Sequence, residues 1–145
     1  MAIVGTDHTV MLVQDIEAGI TTYRDHLGLE LSHQVEHTEA GISQAFFALA
    51  DGTFLELIAP AGDNSRFDQV LNDNGEGVHV LALAVDDLDE SVAALQQQQV
   101  QLIGVGTPQV FIHPRSAHGV MIRLWPKDRP HRWRDSNDPV AAAQQ

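Results

Sequence analysis

Three residues of this chain, set at matching places of an internal repeat, carry side chains suited to proton transfer and anion binding: His8, Glu56 and Arg123. An imidazole takes up or releases a proton near neutral pH, and a suitably placed carboxylate does the same. A guanidinium keeps its charge and offers a planar fork of N–H donors, which suits a carboxylate, enolate or phosphate oxygen. Glu56 is the expected partner of Arg123, because burying a cation without a counter-charge is very costly. A milder reading stands beside this one: Arg123 as a strand-end arginine in solvent.

An internal repeat must position these residues. Val13-Gln14-Asp15-Ile16 recurs as Val85-Asp86-Asp87-Leu88, which sets His8 opposite Val80. Gly52-Thr53-Phe54-Leu55-Glu56-Leu57 matches Gly119-Val120-Met121-Ile122-Arg123-Leu124, which sets Glu56 opposite Arg123. Repeats report architecture directly.

The elements follow the same order twice. His8 to Val13 reads as a strand. Asp15 is a candidate N-cap for a helix from Ile16 to Leu27, stopped at Gly28. Strands are expected at Leu29 to His37, Gln44 to Leu49 and Thr53 to Ile58, with a hairpin at Asp51-Gly52. Ala59 to Gly77 is a linker with a short helix at Phe67 to Leu71. Then come a strand at Val78 to Val85 and a helix from Leu88 to Gln98 capped by Asp87. Strands at Val100 to Val105, Gln109 to Ile112 and Val120 to Leu124 complete the order. The expected fold is α+β: two tandem β-α-β-β-β modules forming an open eight-stranded cleft. The chain is expected to be one domain, residues 1–145. Its modules would span about 6–58 and 78–125, around a linker at about 59–77 and a tail at about 126–145.

Composition excludes several classes. There are no cysteines, which removes disulfides, thiolate metal sites and thiol nucleophiles. A net charge of −12 argues against nucleic acid, whose phosphates need clustered cations. No apolar run approaches the ~20 residues of a membrane helix. The start lacks a basic region followed by an apolar stretch, and a cytoplasmic protein is expected. Lys127, Arg129, Arg132 and Arg134 concentrate cations in the tail. With Trp125 and Trp133 they suggest either a solvated extension or an arm on a second subunit of a homodimer.

Several phrases together resemble the vicinal-oxygen-chelate superfamily, which includes glyoxalase I and the bleomycin-resistance proteins. They are Asp7-His8, Val13-Gln14-Asp15-Ile16, Tyr23-Arg24-Asp25 and Leu27-Gly28-Leu29. Glu39-Ala40-Gly41-Ile42, Leu55-Glu56-Leu57-Ile58-Ala59-Pro60, Gly77-Val78-His79-Val80 and Ile112-His113-Pro114 are similar to its methylmalonyl-CoA epimerase branch.

The resemblance implies a glyoxalase-like fold and a divalent metal (Zn, Co, Ni or Mn) held by His, Glu or Gln, His and Glu. His8 and Glu56 match the first two positions. Val80 and Arg123 stand at the others, and His79 is one residue early, pointing to the opposite strand face unless a bulge intervenes. No cofactor is therefore expected, with His8 and Glu56 as residual metal candidates. The resemblance also makes Glu39 an acid–base group, where the residues alone read as a solvated turn carboxylate. The expected activity is metal-independent proton transfer of the epimerase, isomerase or lyase kind on a small, anionic molecule. His8 and Glu39 would serve as acid–base groups, Arg123 as anchor and Glu56 as its positioner. A binding protein of the bleomycin-resistance type, which sequesters a small molecule without turnover, is the alternative.

Overall fold

Two aspartates each begin a helix. The Asp15 side chain accepts from Ala18 N at 3.1 Å and starts α1 (Ile16–Ile20). The Asp87 side chain accepts from Glu90 N at 2.9 Å and starts α3 (Leu88–Gln97). Each cap satisfies an amide that the first helical turn leaves open. Ser65 does the same for α2 (Arg66–Asn74), which buries Phe67 and Leu71. In this computed structural model residues 2–63 and 65–135 are described, and residues 136–145 of the expected tail lie outside them.

Among the described residues there are eight strands: β1 (Ile3–Leu12), β2 (Leu31–His37), β3 (Ile42–Ala48), β4 (Phe54–Pro60), β5 (Gly77–Val85), β6 (Leu102–Ile103), β7 (Val110–Ile112) and β8 (Ile122–Pro126). A short helix, α4 (Arg132–Asp135), follows β8. The class is α+β, as expected. No helix of the described residues is long and apolar enough to cross a membrane.

The chain divides into two compact units. The first is Val10–Val78 with Pro130–Gln145, and the second is Met1–Thr9 with His79–Arg129. In the first unit β2, β3 and β4 form an antiparallel ladder, and the last residues of β1 lie beside β4. One sheet face packs Ala45, Phe47 and Leu57 against Ile20 of α1. A methyl group added at Gly19 would lie 3.0 Å from Leu57 Cδ1 and 3.2 Å from Val13 Cγ2, which is why α1 approaches the sheet so closely there. By strand alternation, Val10, Leu12, Val35, Gln44, Phe46, Phe54 and Glu56 occupy the face away from α1.

In the second unit the order is β1, β5, β8, β7, β6, with β5 and β8 parallel. Val85, Val110, Ile112 and Leu124 form a core with Leu95 of α3. Phe111, Arg123 and Trp125 therefore lie on the face away from α3, beside Val80, Ala82 and Ala84 of β5.

Some boundaries differ from the expectations, for identifiable reasons. The helix expected to Leu27 continues past Ile20 as a π-helical stretch over Thr21–His26, where Leu27 N donates to Thr22 O at 3.0 Å. The strand expected over 100–105 is only Leu102–Ile103. Gly104 turns the chain with φ +78°, and a Cβ there would lie 2.1 Å from Gln109 O. Trp125, grouped above with the tail tryptophans, belongs to β8.

Candidate active site

His8 is held on two sides within the second unit. Its Nδ1 lies 2.6 Å from Asp7 Oδ2, and its ring meets Trp125 edge-on, with centroids 5.7 Å apart at 82°. A carboxylate accepts hydrogen bonds, so Nδ1 is the ring nitrogen that donates to Asp7. His8 is 2% exposed. Burial and a charged hydrogen bond fix the ring plane and its tautomer, which a proton-transfer group needs.

Arg123 touches the same indole. Its guanidinium carbon lies 4.6 Å from the Trp125 ring centroid and 5.8 Å from that of Phe111. Cross-strand register explains the second contact, because Phe111 of β7 sits directly opposite Arg123 of β8. Trp125 is fixed in turn by Arg129. The indole Nε1 donates to Arg129 O at 3.2 Å, and the Arg129 side chain crosses the ring at 5.2 Å and donates to Pro108 O at 2.8 Å. A cation over an indole face is stabilised by about 0.5–2 kcal/mol. The stack leaves Arg123 only partly exposed, on the strand face it shares with Val80.

Glu56 belongs to the first unit and is 7% exposed. Its Oε2 accepts from Gln44 Nε2 at 3.3 Å, a contact set by the β3–β4 register, which pairs Phe46 with Glu56. Glu39 has a different setting. It lies exposed in the turn from Thr38 to Gly41, where His37 Nδ1 accepts from Ala40 N at 3.0 Å. His113 caps a short turn through Arg115 N, and His118 is exposed.

The structure thus brings His8 and Arg123 to one indole in the second unit. It gives Glu56 a buried, hydrogen-bonded setting in the first unit and gives Glu39 a solvated one. Asp7, Trp125 and Gln44 were missed by reading the sequence alone. The adjacency of Asp7 to His8 was visible, but alternation on a strand predicts that neighbours diverge. Grouping Trp125 with the tail cations hides its spacing of two from Arg123. Trp133 also departs from expectation. Instead of waiting for a second subunit, it stacks on Phe46 of its own chain, with centroids 4.8 Å apart at 14°.

The metal implied by the superfamily does not fit the residues at its positions. Val80 is a buried hydrocarbon on the face that carries Arg123. A guanidinium has no lone pair to give and repels a divalent ion. Of those four positions, only His8 and Glu56 carry donors, and two donors without cysteine make a poor catalytic metal site.

Comparison with known proteins agrees with this architecture. The sequence pattern of the glyoxalase-like domain family matches residues 6–137. Methylmalonyl-CoA epimerase of Mus musculus is 32% identical over 126 residues, covering 81% of this chain and 70% of that protein. The crystal structure of methylmalonyl-CoA epimerase from Mycobacterium tuberculosis superposes with a TM-score of 0.73 at 34% identity, covering 88% of this chain and 90% of that one. Streptomyces coelicolor methylmalonyl-CoA epimerase, solved in complex with 2-nitronate-propionyl-CoA, gives 0.72 at 28% identity and covers 88% and 100%.

Proposed function

We propose that this chain, which belongs to the glyoxalase-like domain family, is an epimerase that moves the α-proton of a methylmalonyl-CoA-like thioester, with Arg123 supplying the positive charge that a metal gives elsewhere in the superfamily. The observation that carries the reading is the Trp125 indole, which orients both a basic imidazole and a fixed cation. Epimerase relatives support it. So does the ligand of the Streptomyces coelicolor protein, because a nitronate is a planar anion that resembles the enolate formed when an α-proton leaves.

The chemistry assigns a role to each group. Nε2 of His8 accepts the proton from the α-carbon, and Asp7 stabilises the imidazolium that forms. The electron pair moves into the thioester carbonyl, and Arg123 holds the resulting oxyanion by a forked contact. Inversion requires a proton to return on the opposite face.

The test is α-deuterium exchange. Purified protein, treated with a chelator, is incubated with one epimer of methylmalonyl-CoA in D2O. Deuterium should enter C2 and the stereocentre should racemise well above the enzyme-free rate. Tight binding without exchange would instead identify a sequestering protein of the bleomycin-resistance kind.

A further inference from the structure

The face of the first unit that carries Glu56 has an occupant from the same chain. Trp133 of α4 lies flat on Phe46 at 4.8 Å and meets Phe54 edge-on at 4.9 Å. With Val35 these residues form one apolar cluster, and Trp133 is 5% exposed. The register puts Phe46 directly opposite Glu56, and Phe54 lies two residues before it on the same strand face. Trp133 therefore sits on the two rings that flank Glu56. His131 meets Phe54 edge-on at 4.7 Å. Arg134 ties the segment to the β3–β4 hairpin, donating from Nη2 to Gly52 O at 3.2 Å and to Thr53 O at 3.3 Å.

The fit is good for rings and poor for polar atoms. Among the described residues, Trp133 Nε1 and Gln44 Oε1 are buried without a hydrogen-bond partner. Gln44 is 4% exposed, and its amide nitrogen already serves Glu56. A buried donor and a buried acceptor both left unsatisfied penalise the docked state. Apolar stacking holds the segment down while two polar atoms favour its release.

We propose that the His131–Arg134 segment is a displaceable cover, and that the surface beneath Trp133 is a subsite for a ligand chain that joins apolar groups to an amide N–H. Such a chain packs on Phe46 and Phe54 and donates to Gln44 Oε1, while the released indole N–H gains water. Thioesters of the coenzyme A type carry amide-bearing arms of this kind. The substrate class rests on the epimerase reading, whereas the cover itself does not.

The experiment uses the full chain labelled with 5-fluorotryptophan, whose Trp125 and Trp133 resonances are assigned through W133F. Without ligand, R134A removes the two hairpin contacts and the guanidinium's contacts with the Trp133 ring at 5.1 Å and the Phe54 ring at 5.2 Å, and should move the Trp133 resonance all the way toward that of the unfolded chain, beyond the small shift that loss of a neighbouring charge gives, while Trp125 stays in place. An unmoved Trp133 resonance in R134A shows a locked segment and overturns the proposal, whatever the chain catalyses. With methylmalonyl-CoA, the Trp133 resonance should move the same way, and R134A should lower KM about fivefold or more at similar kcat. Turnover at saturating methylmalonyl-CoA with Trp133 unmoved overturns the proposal. If the chain neither binds nor turns over methylmalonyl-CoA, the epimerase reading falls. The ligand-free R134A result then decides the cover alone.

Discussion

Arg123 lies over Trp125, with its guanidinium carbon 4.6 Å from the ring centroid, and the two residues share one face of β8. This stack fixes the plane of a side chain that carries a permanent positive charge. Arg123→Ala should cut kcat/KM for α-proton exchange by on the order of thirtyfold or more, which corresponds to about 2 kcal/mol. Arg123→Lys keeps the charge and loses the fork and the flat stack, so it should fall between the two. Steady-state kinetics on both variants check this, and wild-type turnover in Arg123→Ala would remove Arg123 from the reaction.

Asp7 should act through His8. Asp7→Asn keeps the size but removes the charge that stabilises an imidazolium, and its amide can present a donor to Nδ1 and select the wrong tautomer. The expected result is a fall in kcat of roughly 10- to 100-fold with a small change in KM. A change confined to KM would mean that Asp7 shapes ligand binding instead.

The order of strands and helices was legible because its causes are local. Asp15 and Asp87 announce helix starts through side-chain geometry that any aspartate before an apolar helical run provides. Alternation in β3 and β4 separates Phe47 and Leu57 from Phe46 and Glu56 without reference to the rest of the chain. The sites of failure depended on distant contacts. β6 ends early because Gly104 must pass close to Gln109 O, a constraint invisible in the strand-like stretch from Val100 to Val105. The candidate site was legible as residue types, since His8, Glu56 and Arg123 stand at recognisable strand positions. Its supports were not. The contacts of Trp125 with His8 and Arg123 arise from cross-strand register, and Trp133 reaches Phe46 across a long stretch of sequence.

Gly104 gives a stability test that is independent of function. Its φ of +78° disfavours any L side chain, and a methyl group would meet Gln109 O at 2.1 Å. Gly104→Ala should lower stability by about 3 kcal/mol or more, the sum of backbone strain and a forced shift of the β6–β7 connection. Chemical denaturation measures this directly. Gly106→Ala is the control, because it has a similar φ of +86° but nothing within 4 Å of the added atom, so it should lose only the strain part.

The metal question can be settled by removal and by reconstruction. If Arg123 supplies the positive charge, EDTA treatment should leave α-proton exchange unchanged, and elemental analysis of active protein should find well under one equivalent of divalent metal. Loss of activity on chelation, restored by Co or Zn, would reverse the assignment. Reconstruction approaches the same point from the other side. Val80→His with Arg123→Glu replaces a hydrocarbon and a cation with an imidazole and a carboxylate in the unit that also holds His8. His8 is left untouched. The double variant should bind Zn or Co at least tenfold more tightly than the parent by calorimetry, because it gains two donors and loses a repulsive charge. Each single change should gain less, with Arg123→Glu ahead of Val80→His, since a guanidinium opposes a divalent ion while a valine merely fails to bind it. Equal metal affinity in parent and double variant would show that these positions do not compose a ligand set in this chain.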